Sequence, residues 1–200
     1  AFAFWDNNSK APLDTLASYR IAASQKAFLF WNHPWTMPPF WKPDKASEWT
    51  AAQDTIYGNG WLGGIEVVNG RRYDPVAHRF CIEKKLTMLG NTDLHNLSAY
   101  EYDTFNGGHR PMTLVFARER SLEGIREALI ARRTAVWSGD TLIGEARFLV
   151  PVFERTIASS AARIELSPGK KAAFVLSNNR DIPVTLERNP AVTEIGRAHH

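Results

Sequence analysis

The stretch LTMLGNTDLHNLS, Leu86 to Ser98, decides how this sequence is read. An apolar run stops at Gly90 and gives way to Asn91, Thr92, Asp93 and, two residues on, His95. A strand that ends in a carboxylate and an imidazole two residues apart directs both side chains to one side of an extended segment. A metal ion needs that arrangement when one strand end supplies two of its ligands. A turn cap followed by a solvated histidine has the same spacing, so the pair alone leaves both readings open.

Working outward, residues 1–145 alternate between two textures. Apolar runs with strand character are KAFLFW (Lys26–Trp31), GGIEVVN (Gly63–Asn69), LTML (Leu86–Leu89) and MTLVFA (Met112–Ala117). Helical patterns separate them. Asp74 followed by Pro75 forms an N-cap and first-turn pair that opens a helix to about Lys85. Ser121 opens LEGIREALIARR, where Leu122, Ile125, Leu129 and Ile130 fall on one face and Arg132 and Arg133 suit the helix carboxyl end. Leu13–Ser24 is a third helical candidate. Strands alternating with helices predict an α/β fold with parallel strands, in which chemistry gathers at the strands' carboxyl ends. Asn32 and His33 follow the first strong strand, Asn69 ends the second, and Asp93 and His95 follow the third.

Beyond Glu145 the texture becomes RFLVPVFE, ARIELS and KAAFVLSN, short segments separated by SPGKK and NNRDIP. This predicts a second unit, residues 146–200, as a small antiparallel β appendage.

With 44% hydrophobic and 22% charged residues, the composition is that of a folded globular chain, and no apolar run reaches the length of a membrane span. The 24 Lys and Arg are scattered among 21 Asp and Glu, without the basic stripe of a nucleic-acid binder. Cys81 is the only cysteine, which excludes an internal disulfide and leaves the compartment, cytoplasm or periplasm, open. The opening AFAFWDNNSK lacks the pattern of a signal peptide and reads as a strand running into a turn, as if the chain began inside a domain.

His33, in FWNHPW, is held extended by Pro34, so a second strand end offers a ligand to the same edge. His109 and Arg110, in GGHRPM, precede another strand; they either meet a phosphate and protonate a leaving group or serve as a turn residue and a surface cation. Glu66 lies inside an apolar strand, where a carboxylate needs a partner; orienting a histidine ligand and a purely structural hydrogen bond both satisfy that need. Trp31, Trp35, Trp41 and Trp49 line a proline-rich segment that is either a lid over an apolar substituent or a plug for the core. His78, alone on its helix, is assigned to packing.

Taken together, FLFWNHPW, GIEVVNGRRYDPVAHRFCIEKKLTMLGNTDLH, HRPMTLVFARERSLEGIREALIARRTAVWSG and LIGE, in this order, resemble the carboxyl-terminal half of the polymerase and histidinol phosphatase (PHP) superfamily, especially its Sphingobium-type bacterial phosphodiesterase branch. The terminal VLSNNRDIPVTLER is similar to the β tail of that branch. The resemblance implies the last part of a distorted (β/α)7 barrel and metal-dependent hydrolysis of phosphate esters at a centre of two or three divalent ions, Zn, Mn or Fe. It makes His33, Asp93 and His95 metal ligands. It also implies that the family's opening His-x-His motif, further histidines and a bridging glutamate lie upstream of Ala1. None of His33, His78, His95, His109, His199 and His200 replaces them in order. The expected partners are therefore a small phosphate-ester substrate and the amino-terminal half of the same protein as a separate chain, with neither nucleic acid nor membrane. A non-catalytic binding module that uses the Trp-rich loop is the other reading.

Overall fold

The computed structural model describes residues 15–35, 47–161, 163–165, 167–170, 172–180, 182 and 184. The expected AFAFW strand, Trp41, His199 and His200 lie outside them. The chain divides into two compact units, residues 1–145 and 146–200.

In the first unit, α1 (Thr15–Ser24) leads to the short β1 (Phe30–Trp31). Helix α2 (Ala51–Gly58) follows, then β2 (Gly64–Asn69), β3 (Arg72–Tyr73), α3 (Pro75–Lys84) and β4 (Thr87–Asn91). The order continues with the one-turn α4 (Ser98–Glu101), β5 (Met112–Val115), α5 (Leu122–Ile130), β6 (Thr134–Ser138) and β7 (Thr141–Gly144). β2 is central, with β1 parallel on one edge and β4 parallel on the other, while β3 folds back antiparallel on its last two residues. Burial of β2 at every position except Asn69 explains its unbroken apolar texture, since a strand covered on both faces does not alternate.

The local signals that open the helices act as the residues dictate. Asp74 caps α3 by accepting from the N–H groups of Val76 and Ala77, and its other oxygen accepts from the buried Ser47 hydroxyl. Ser121 caps α5 through the Gly124 N–H. Helix α2, unassigned from the sequence, is opened by a capping box between Thr50 and Gln53, a signal legible in Thr-x-x-Gln.

Two expectations are corrected. β5, β6 and β7 pair antiparallel in place of parallel crossovers: the β6–β7 connection is a two-residue turn, too short for a helix, whereas α5 links β5 to β6 and the chain still returns antiparallel. No sheet closes into a barrel among the described residues. The packed face of α5 is Gly124 and Ala128, whereas Leu122, Ile125 and Ile130 are exposed; Gly124 fits closely against Glu119 and Ser121, and the Thr87 hydroxyl of β4 donates to the Leu129 carbonyl at 2.6 Å.

The core gathers Ile56, Leu62, Ile65, Val67, Val68, Phe80, Met88, Val136 and Ile143, with Trp31 and Trp49 packed against it. Trp35 is also buried. These three rings act as core and not as a lid.

The second unit begins with α6 (Ala146–Thr156), which takes RFLVPVFE into a helix despite Pro151. Phe148, Leu149, Val152 and Thr156 are its least exposed positions, at helical spacing, and that periodicity prevails over the strand reading. Among the described residues, the expected antiparallel β pairing is confined to β8 (Ile157–Ser159) and β9 (Leu176–Asn178).

Candidate functional site

The parallel register brings the carboxyl ends of β1, β2 and β4 side by side. β1 pairs with β2 only as far as Trp31 opposite Ile65, so the chain leaving β1 passes beside Glu66. β4 runs further and sets Asn91 opposite Asn69. Between Glu66 and Val68 the β2–β4 register slips by one residue. In a regular strand, residues three apart face opposite sides; the extra residue of a bulge restores Glu66 and Asn69 to one side.

Glu66, 1% exposed, is the hub of this edge. One carboxylate oxygen accepts from the backbone N–H of His33 and from the Asn69 amide at 3.3 Å; the other accepts from the Asn91 amide at 2.8 Å. Burial pushes its carboxyl above the ordinary value, and the His33 N–H, the two amides and the His33 charge pull in the opposite direction. The carboxylate grips the backbone of His33 through its N–H. Asn69 and Asn91 have no assigned role in the sequence reading, although an amide closing each of two apolar strands was the available signal.

Two candidate residues occupy the left-handed backbone region, His33 at φ 30° and Asp93 at φ 51°. Neither is glycine, and such conformations cost about 1–3 kcal/mol when bulky residues adopt them. Asp93 and His95 are brought together, with Nε2 of the imidazole 3.7 Å from a carboxylate oxygen and both side chains open to solvent. His33 is half-buried and linked to them through Glu66 and Asn91, two residues before Asp93. The donor chemistry, imidazole and carboxylate, suits a divalent transition-metal ion. No group of three His, Cys, Asp or Glu able to hold a metal is gathered among the described residues.

His109 stands at the entrance to β5, with Nδ1 2.7 Å from the Arg110 carbonyl and Nε2 3.1 Å from the Gly139 carbonyl. Its ring lies 4.2 Å from that of Trp137, whose buried indole Nε1 has no partner among the described residues. These contacts tie the loop before β5 to the β6–β7 turn. Arg110 is exposed. The sequence reading gives no role to Arg71, in the turn directly after β2, or to Arg72, which opens β3. Arg71 is steadied by the Glu101 carbonyl at 2.7 Å and Arg72 lies over the Trp35 ring at 4.5 Å.

No helix among the described residues is long and apolar enough to cross a membrane. No protein-family model matches the chain, and no curated protein matches it. Among solved structures the chain is similar to a two-domain protein containing a predicted PHP-like metal-dependent phosphoesterase from Bacteroides vulgatus, with a TM-score of 0.70 and 41% identity. The match covers 80% of this chain and 46% of that one, so this chain spans about half the length of its neighbour. That likeness supports kinship with PHP-like phosphoesterases and an α/β fold held in common, without favouring the Sphingobium branch or any one half of the family's barrel.

Proposed function

We propose that this chain contributes to a metal-dependent phosphoesterase that acts on small phosphate esters, phosphodiesters among them. The observation that carries the reading is the 41% identity, over 80% of the chain, to a protein containing a predicted PHP-like metal-dependent phosphoesterase. Asp93 and His95 serve as a ligand pair at the end of β4, with His33 as a third ligand at the end of β1. Bound divalent ions would supply an activated water and neutralise charge on the phosphoryl group. Arg110 meets the ester from the β5 side, and His109, both of whose ring nitrogens face backbone carbonyls, holds the loop that carries it. The ligands that complete such a centre would come from residues other than these three.

The test is metal analysis of the purified protein together with hydrolysis of bis(p-nitrophenyl) phosphate before and after chelation. Divalent metal in the protein, with turnover that chelation removes and Zn, Mn or Fe restores, is the expected result. Metal-free complete protein that remains inert after each ion is added defeats the reading. The binding-module alternative is weakened by the packing of Trp31 and Trp49 against the core and by the burial of Trp35.

A further inference from the structure

We propose that Glu66 is the positioning residue of this site, a buried clamp that fixes the carboxyl ends of β1, β2 and β4 relative to one another by holding the His33 backbone and the Asn69 and Asn91 amides. This rests on the reading of His33, Asp93 and His95 as ligands, and it names the residue that sets their spacing.

Each neighbour of Glu66 in β2 is apolar and 0–1% exposed: Ile65, Val67 and Val68. An apolar side chain at position 66 would suit such a strand, since buried carboxylates are a poor source of stability. The carboxylate is nonetheless there, and its three donors come from three different strand ends. The β2 bulge has the same result, because it turns Asn69 towards Glu66. A further backbone bond, Gly70 N–H to the Asn91 carbonyl at 2.9 Å, fastens β2 to β4 beyond the last paired residues. His33, in a sparsely populated backbone conformation, is kept there by a bond to its own N–H. A clamp on the backbone sets where the imidazole starts. Asn91, two residues before Asp93, carries the same constraint to the second ligand segment.

Positioning by hydrogen bonds makes a distinctive demand on substitutions. Glutamine at position 66 preserves the clamp: its oxygen accepts from His33 and Asn69, and its amide donates to Asn91 once that side chain turns over to present its own oxygen. Methionine keeps the volume and removes every acceptor. If the carboxylate acted by charge, as a ligand or as a base, glutamine would fail as methionine does.

The experiment compares Glu66→Gln and Glu66→Met in the complete protein by hydrogen exchange at the His33 amide and by Mn2+ titration calorimetry. In Glu66→Met the His33 amide should exchange at least about tenfold faster and Mn2+ affinity should fall about 10–100-fold, the range seen when residues that orient ligands are lost. Glu66→Gln should stay within about threefold of the parent in both. Should Glu66→Met fail to fold, Asn91→Leu severs the β4 arm alone and should weaken Mn2+ while leaving the His33 amide protected. A protected His33 amide and parental Mn2+ affinity in Glu66→Met overturn the proposal, and so does a Gln variant that behaves like the Met variant. His33→Ala separates the two levels: unchanged Mn2+ affinity there refutes the ligand reading, whereas the amide exchange judges the Glu66 clamp independently.

Discussion

The Thr113 hydroxyl of β5 donates to the Gly90 carbonyl of β4 at 3.0 Å and accepts from the Gly90 N–H at 2.9 Å. One side chain thereby satisfies both backbone groups of a residue that no strand pairs on that side. Thr134 adds a bond to the Met88 carbonyl at 2.8 Å, so threonines complete the edge of β4 facing the antiparallel meander. Thr113→Val should leave two backbone groups without partners and lower stability by about 1–3 kcal/mol, read as a reduced urea midpoint at unchanged slope. A midpoint equal to the parent's would mean that water replaces the hydroxyl.

Gly90 is also where β4 comes closest to β6. A Cβ built there would lie 2.3 Å from Val136 Cγ1, inside any permitted contact, and Val136 is fully buried. Gly90→Ala should therefore destabilise by about 1–3 kcal/mol. Adding Val136→Ala should recover part of that loss, and a double-mutant cycle with no coupling would place the strain elsewhere.

Asp74 joins two parts of the chain, capping α3 and accepting from Ser47. Asp74→Ala should lose about 1–2 kcal/mol from the cap, with the orphaned Ser47 hydroxyl adding to the effect. Asp74→Asn should recover most of the cap in thermal unfolding. An alanine variant that melts with the parent would show that Ser47 or water can cap the helix.

Cys81 lies 1% exposed beneath β2 and β4, with Sγ 3.7 Å from the Thr87 carbonyl. Burial pushes its thiol from 9.0 up to about 12, with a smaller opposing effect from the Ile65 carbonyl contact. The folded protein should leave this thiol unmodified by Ellman's reagent at pH 8, with full reaction only in denaturant. The sign for stability follows. The unfolded thiol ionises first, so the contribution is intact below pH 9 and declines as pH rises towards about 12. Cys81→Ala should flatten that alkaline decline, and rapid labelling of native protein would contradict the burial.

Asp93 and His95 are open to solvent, so neither supports the core. Asp93→Ala should leave the melting temperature within a few degrees of the parent and reduce aryl phosphodiester hydrolysis more than about 100-fold in the metal-loaded complete protein. Full turnover with normal metal content would reduce Asp93 to a turn residue.

Local signals set the elements that the sequence determined by itself. Asp74–Pro75 and Ser121 open helices because their side chains satisfy N–H groups a few residues away, within reach of any local reading. GIEVVN and LTMLGN are strands because their apolar runs are too short for buried helices and end at residues that tolerate turns. The Asp93–His95 pair was legible for the same reason: the two residues are neighbours in sequence.

What only the tertiary structure decided depends on register and on distance along the chain. Leu122, Ile125, Leu129 and Ile130 share one helical face, yet the buried positions of α5 are Gly124 and Ala128, since what the helix packs against and not apolarity alone chooses the contact surface. RFLVPVFE reads as a strand from its short alternating texture, but its inward positions follow helical spacing. The clamp around Glu66 needs β1 to end beside the middle of β2, a bulge to align Glu66 with Asn69, and β4 to bring Asn91 across from 25 residues away. A sequence states which residues can donate and accept; only the pairing of strands fixes which of them meet.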